Sequence, residues 1–294
     1  MNYRHQFHAG NFADVMKHAL LVRLLRDLQK KEKGYLFLDT HAGKGRYDLA
    51  RAATGESLAR KPEWPDGIGR LWSHADPAMP AGVSDYLGLV RDFDRRAGSL
   101  ETSPRFYPGS PWIARMLARP VDRLTFCERH PADAMALRQE FRGAPRISIQ
   151  ETDGYAEIRA LLPPPERRAL VLIDPPFEAQ GEFALVVRAL EAGLKRFPSG
   201  VFVIWFPLTA RARVEEFLAT VQALKPPSAL VTELTIAGEA SAVKMKGCGL
   251  LLLNPPWQFD RAASTILDYL SRALAQEPGG GTRVEWLVRE RNAA

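Results

Sequence analysis

Apolar residues first recur three and four apart at Val15, Ala19, Val22, Leu25 and Leu28. That stagger places them on one face of a helix, so residues 11–33 are expected to form an amphipathic helix capped at Asn11 or Asp14. The pattern then changes to short, almost continuous apolar runs, each ending at a polar residue. Such runs predict strands at 35–39, 124–128, 146–150, 169–173, 201–208, 230–238, 248–254 and 282–290. Between them, helical spacing returns at 131–141, 155–162, 183–197, 210–224 and 260–274. Strands without polar alternation, separated by helices, predict an α/β protein whose mostly parallel sheet is covered on both faces. The late strands lie closer together, which allows an antiparallel member near the end.

The rhythm fails between 50 and 118. The strand ends at Asp39 and Glu128 are 89 residues apart, where a strand-helix-strand unit needs about 30. With "KPEWPDGIGRLW" and helical spacing over 84–96, this stretch reads as a mostly helical insertion, either functional or a passive elaboration. Trp64 and Trp72 are expected to form its small core.

Composition narrows the class only slightly. Among 294 residues, 40 Lys and Arg face 34 Asp and Glu, for a formal charge of +6, which suits an anionic partner without demanding one. Cys127 and Cys248 lie in or beside apolar runs and are expected as buried thiols rather than a disulfide or metal pair. The amino terminus carries no leader-like stretch and no membrane span is expected, so the expected location is the cytoplasm. "HQFH" at residues 5–8 lacks a third ligand at a sensible spacing, so no metal is expected.

Candidate chemistry collects where strands end. Gly43 and Gly45 after the first strand permit a sharp turn and close backbone approach to a ligand, or simply a tight turn. Lys44 between them is not followed by Ser or Thr, so a triphosphate loop is incomplete. Glu128 could accept hydrogen bonds from ribose hydroxyls, or be an ordinary solvated acid. Asp153 is placed to bond an adenine amino group, with Gly154 permitting close approach. "DPPF" at 174–177 ends an apolar strand. Asp174 and the Pro175 carbonyl offer acceptors to an exocyclic amine, and Phe177 offers a surface on which a base can stack. "NPPW" at 254–257 repeats the pattern; it is expected to be a structural turn in which Trp257 shields the core or sheet edge.

"DPPF" resembles the D/N-P-P-Y/F/W signature of amino-directed methyltransferases that use S-adenosylmethionine. The chain as a whole resembles the bacterial 23S ribosomal RNA (adenine-N6)-methyltransferases. The resemblance rests on "YRHQFHAGNFADVMKH" at 3–18, "LDTHAGKGRY" at 38–47, "FYPGSPWIARMLAR" at 106–119, "CERHP" at 127–131, "DGY" at 153–155, "LIDPPFE" at 172–178 and "NPPW". It implies a Rossmann-like class I S-adenosylmethionine-dependent methyltransferase fold, with a mostly parallel seven-stranded sheet and a small helical insertion at 50–118. It also implies that His18, His41, Gly43, Ser110, Glu128, Asp153, Gly154 and Asp174 line the cofactor and catalytic site. Asp174 would act on the target amine, and Tyr3 would stand on the RNA side. Without the resemblance, His18 would be an ordinary capping or surface histidine. Arg4, Lys17, Arg46, Arg115 and Arg119 fall near these motifs and read either as RNA phosphate contacts or as solvated surface charge. The expected partner is 23S rRNA, bound by a monomer. Phe177 stands where tyrosine is frequent in the family, which preserves stacking. The same signature would serve adenine-N6 methylation of DNA, and an idle nucleic-acid-binding protein is the remaining alternative.

Overall fold

The computed structural model describes residues 7–52, 61–73, 76–178 and 181–289. Tyr3 and Arg4 lie outside the described residues. Helix α1 (Phe12–Gln29) starts where Asn11 accepts from the Asp14 N–H at 3.0 Å. Asp14 in turn accepts from the Gly10 N–H, so a donor in the first turn and one just ahead of the cap are both satisfied. Strand β1 (Leu36–Asp39) follows, then β2 (Arg46–Asp48) and a short helix α2 (Leu49–Ala52).

Next come a 3-10 turn (Trp64–Asp66), α3 (Ile68–Trp72) and α4 (Ala81–Arg96). The chain returns through β3 (Phe106–Pro108), which pairs antiparallel with β2, and α5 (Ser110–Leu117). Strand β3 was not expected; a three-residue run is too short to reveal an alternating period. Buried Asp94 on α4 accepts from the Arg105 and Phe106 N–H groups and fastens the helix to that strand. Trp64 and Trp72 do not form a separate core. Both are partly buried against the main cluster, and the Arg91 guanidinium covers the Trp72 ring at 5.7 Å.

The core then alternates: β4 (Arg123–Cys127), α6 (Pro131–Glu140), β5 (Ile147–Gln150), α7 (Gly154–Leu161), β6 (Ala169–Ile173) and α8 (Glu182–Arg196). It finishes with β7 (Val201–Pro207), α9 (Arg211–Ala223), β8 (Ala229–Thr235), β9 (Gly247–Leu253), α10 (Phe259–Ala273) and β10 (Gly281–Val288). The sheet order is β10-β8-β9-β7-β6-β1-β4-β5. Strands β5, β4, β1, β6 and β7 run parallel, and β9 is antiparallel to both β7 and β8. The sheet has eight strands rather than seven, because β10 adds antiparallel to the exposed edge of β8.

Side chains alternate between two buried clusters. Leu170 and Leu172 face the cluster under α1 and α10, while Val171 and Ile173 face the one under α8 and α9. With both faces buried, a central strand such as β6 is apolar at every position, which is why it shows no polar alternation. Cys127 and Cys248 are buried and free, as their setting predicted. Among the described residues, no helix is long and apolar enough to cross a membrane, and no group of three His, Cys, Asp or Glu could hold a metal.

Candidate active site

Parallel strands deliver their carboxyl ends to one edge. Asp39, ending β1, is level with Phe126 of β4 and Leu172 of β6, so Glu128 and Asp174 emerge on either side of it. A cavity of about 1050 Å³ opens above this edge. It is lined by the expected His18, His41, Gly43, Ser110, Glu128, Asp153, Gly154, Asp174, Pro175 and Phe177, and by Lys17.

One wall is α1, which is buried on nearly all sides. Its polar residues Asn11, Asp14, Lys17 and His18 are buried with the apolar ones. Lys17 is only 4% exposed, so it is neither a solvated surface charge nor an outward phosphate contact. Its ammonium lies 2.8 Å from Asp14 Oδ1 and 2.5 Å from Asp174 Oδ2. Burial works against that charge, but the two carboxylates outweigh it and hold the Lys17 pKa well above the ordinary lysine value. Among the described residues Asp174 Oδ1 has no hydrogen bond, so it is left to receive a donor from the cavity.

His18 is 1% exposed and is not a surface histidine. Its Nδ1 shares a 2.8 Å hydrogen bond with the Tyr107 hydroxyl, which shares another at 2.9 Å with Tyr86 on α4. Burial pushes both phenols far above their ordinary range, so both tyrosines stay neutral. It ties the inserted helix to the cavity wall. Neither tyrosine stood out from the sequence; the available signal was the recurrence of polar residues at 11, 14, 17 and 18, a second helical stripe.

The glycine turn is required by the backbone, with φ of +60° at Gly43 and +79° at Gly45. A Cβ on Gly43 would lie 2.4 Å from the Tyr47 hydroxyl. Glu128 braces the turn: one carboxylate oxygen accepts from the Gly43 N–H at 2.8 Å, the other from His130 N–H at 2.7 Å. Burial nevertheless raises its pKa above the usual carboxylate value. Each oxygen keeps a second lone pair for a ribose hydroxyl.

Asp153 caps α7, accepting from the Tyr155 N–H at 3.0 Å. Gly154 is needed for a different reason from the expected one. A Cβ there would sit 2.0 Å from the Thr40 carbonyl oxygen, so the close approach is by the chain's own turn rather than a ligand. His41 packs edge-on to Tyr155 and shares a 2.8 Å hydrogen bond with the Thr40 hydroxyl. Burial lowers its pKa to about 4, against the pull of Asp174 and Asp153, so the ring is neutral at pH 7.

Asp39 is the buried residue that the sequence reading did not single out. Ser110, at the start of α5, donates its hydroxyl to Asp39 Oδ2 at 2.6 Å, and the His41 N–H donates to Oδ1. Burial raises its pKa to about 7, partly offset by the Ser110 hydrogen bond and reinforced by Asp174. An acid directly before a glycine turn was the signal that could have found it.

Phe177 has a left-handed backbone, φ +49°, uncommon for a bulky residue. Its ring packs on Phe183 and Trp205, with centroids 4.8 and 5.8 Å away, while still bordering the cavity. The second Pro-Pro turn is at the opposite edge, because β9 is antiparallel: its start, Cys248, is level with Pro207, and its end, Leu253, with Phe202. Asn254 donates to the Pro198 and Gly200 carbonyls and ties the strand end to the neighbouring turn. Trp257, expected to shield the core or edge, is 85% exposed. Arg119 is a structural clamp, bonded to Asp122 and to the carbonyls of Gln29 and Lys31. Arg46 pairs with Glu140 at 2.9 Å.

The lining suits an adenosine bearing a sulfonium: backbone exposed at a glycine turn, acids at Glu128 and Asp153, a neutral imidazole, and the Asp174 carboxylate. The family model described as "Ribosomal RNA large subunit methyltransferase D, RlmJ" matches residues 32–288. The chain is 37% identical over 290 residues to "Ribosomal RNA large subunit methyltransferase J" of Escherichia coli strain K12, covering 99% of this chain and 100% of that one. It is 38% identical, with the same coverage, to the protein so named from Haemophilus influenzae. Among solved structures, protein LPL1258 from Legionella pneumophila superposes with a TM-score of 0.83 at 31% identity, covering 95% of this chain and 98% of that one. Full-length similarity to these relatives, together with a Pro-Pro turn where β6 ends in the cavity, places the chain in the RlmJ family of large-subunit ribosomal RNA methyltransferases.

Proposed function

We propose that this protein methylates N6 of an adenine in 23S rRNA, using S-adenosylmethionine and acting on protein-free or early-assembly RNA. The observation that carries the reading is Asp174. It stands at the end of β6, ahead of two prolines and Phe177, fixed by Lys17 and sharing one cavity with Glu128 and Asp153.

Glu128 would hold the ribose hydroxyls, Asp153 the adenine amino group, and the Gly43 turn would lie against the nucleoside. His18, His41, Ser110 and Gly154 shape the same wall. When bound, the cofactor would supply a methyl group activated by its sulfonium, with S-adenosylhomocysteine as the other product. Asp174 Oδ1 and the Pro175 carbonyl accept from the two N6 hydrogens, turning the nitrogen toward that methyl. The Asp174 carboxylate also stabilises the positive charge that develops on nitrogen and is the acceptor within reach for the proton lost afterward. Phe177 gives the base an aromatic edge. Lys17 keeps the carboxylate in place, and Tyr3 and Arg4 belong to the RNA side. The target base must leave its stack to reach this depth, which favours unfolded RNA over a finished ribosome. The protein works as a monomer in the cytoplasm, and residues 50–118 add to the RNA face.

The test uses labelled S-adenosylmethionine with protein-free 23S rRNA and, separately, adenine-containing duplex DNA. N6-methyladenosine from the RNA alone, lost in Asp174→Ala while RNA binding persists, is the expected result. Label in the DNA alone would overturn the substrate.

A further inference from the structure

The catalytic cavity does not stop at its adenine side. Arg159, Arg188 and Ala192 line it and also line a second groove, about 670 Å³, that continues along α7 and α8 past Glu191, Lys195 and Arg196. Arg188, Glu191, Ala192 and Lys195 are spaced by three, four and seven residues, so they share one face of α8. Arg159 faces the groove from α7.

This groove gathers unpaired cations on one surface. Several other arginines are neutralised: Arg123 by Glu166, Arg138 by Glu151, and Arg211 and Arg283 by Glu233. Arg159, Arg188 and Lys195 are exposed and form no ion pair among the described residues. Four cations therefore meet a single acid, Glu191, along the groove. The helix dipole accounts for cations in a last helical turn, which covers Arg159, Lys195 and Arg196. It does not account for Arg188, in the middle of α8, or for the convergence of all four on one groove. Unneutralised like charges repel one another, and a polyanion laid between them removes that cost.

We propose that the α7/α8 groove is a backbone track for the RNA strand flanking the target adenine. The inference rests on the reading of RNA as substrate and adds the path the strand takes. Phosphates leaving the cavity meet Arg188 and Arg159, whose planar guanidinium groups can grip a phosphate with two parallel hydrogen bonds. They then pass Lys195 and Arg196 toward the end of α8. Ala192 and Pro163, which also line the groove, are small and offer no base-reading group, so the contact is independent of sequence.

The full chain and its Arg159→Gln/Arg188→Gln/Lys195→Gln variant are compared for binding to a 23S rRNA transcript across a salt series, with unfolding temperature as a check on folding. At about 0.15 M salt the variant is expected to bind on the order of 50-fold more weakly, and its salt slope to fall by roughly 2 units, as loss of three single-strand phosphate contacts requires. In the wild-type protein, acylation of Lys195 should slow when the transcript is added and not when S-adenosylhomocysteine is added. A folded variant with unchanged affinity and slope, or Lys195 labelling indifferent to RNA, overturns the track. Methyl incorporation by the wild type is measured alongside. If RNA is methylated while the variant binds normally, the track alone fails; if the wild type neither binds nor methylates RNA, the substrate reading falls and takes the track with it.

Discussion

The Lys17 ammonium lies 2.5 Å from Asp174 Oδ2, joining the first helix to the catalytic turn across 157 residues of chain. The pair is buried, with Asp14 as a second anion on the same ammonium, so removing the cation leaves two carboxylates facing one another out of water. Lys17→Met is expected to slow methyl transfer on the order of 10²-fold, the scale of losing one preorganised electrostatic element. Single-turnover rates at saturating cofactor would show it. An unchanged rate would mean that Asp174 keeps its position without this partner.

The chain from His18 through Tyr107 to Tyr86 makes a prediction about stability. Tyr107→Phe strips a hydrogen bond from both buried neighbours, which should destabilise the fold by about 2 kcal/mol. Cofactor binding should weaken as well, since His18 lines the cavity. Denaturant unfolding and calorimetric titration measure the two effects. Loss of stability with unaltered cofactor affinity would restrict Tyr107 to a role in packing.

Asp39 carries a pH signature. Its folded pKa of about 7 stands above the unfolded value of 3.8, so between these values the folded state holds a proton that the unfolded state has released. Its contribution to stability is therefore greatest at the acid end and declines as pH rises from about 4 through 7. Asp39→Asn removes the titration and should flatten that part of the stability profile. Parallel profiles for the two proteins would rule this assignment out.

Gly154→Ala drives a Cβ to 2.0 Å from the Thr40 carbonyl. The backbone on both sides must shift, at a cost of about 3 kcal/mol by the scale of overpacked cores, and the glycine turn should loosen with it. Melting curves and cofactor affinity should fall together. A fully stable variant would show that the loop after β1 can move aside.

The second Pro-Pro turn should be silent in catalysis. Trp257→Ala, on an exposed ring, is expected to change stability by less than about 0.5 kcal/mol. Asn254→Ala loses two hydrogen bonds to backbone carbonyls and should cost about 1 to 2 kcal/mol. Methylation should survive both changes at full cofactor and RNA. A selective loss of activity in the folded Asn254 variant would reopen the role of this turn.

Sequence by itself determined the order of the main-sheet strands and of the helices between them after residue 118, because buried parallel strands and their covering helices have different apolar periods. It determined that Asp174, Glu128, Asp153 and Gly43 belong to strand ends and turns, since Asp174 and Glu128 follow an apolar run directly and Asp153 and Gly43 come shortly after one. It did not distinguish the two Pro-Pro turns by chemistry, because both have the same short-range pattern. Strand direction decided between them: β6 is parallel to β1 and ends in the cavity, whereas β9 runs the other way and delivers Asn254 to the far edge. Tertiary structure also turned Lys17 and His18 inward. A helix packed on several sides buries polar residues that look solvated when only one face is assumed to be covered, and their partners, Asp174 and Tyr107, are distant in sequence. Local periodicity records which face a residue occupies; what that face meets is settled only when the chain folds back upon itself.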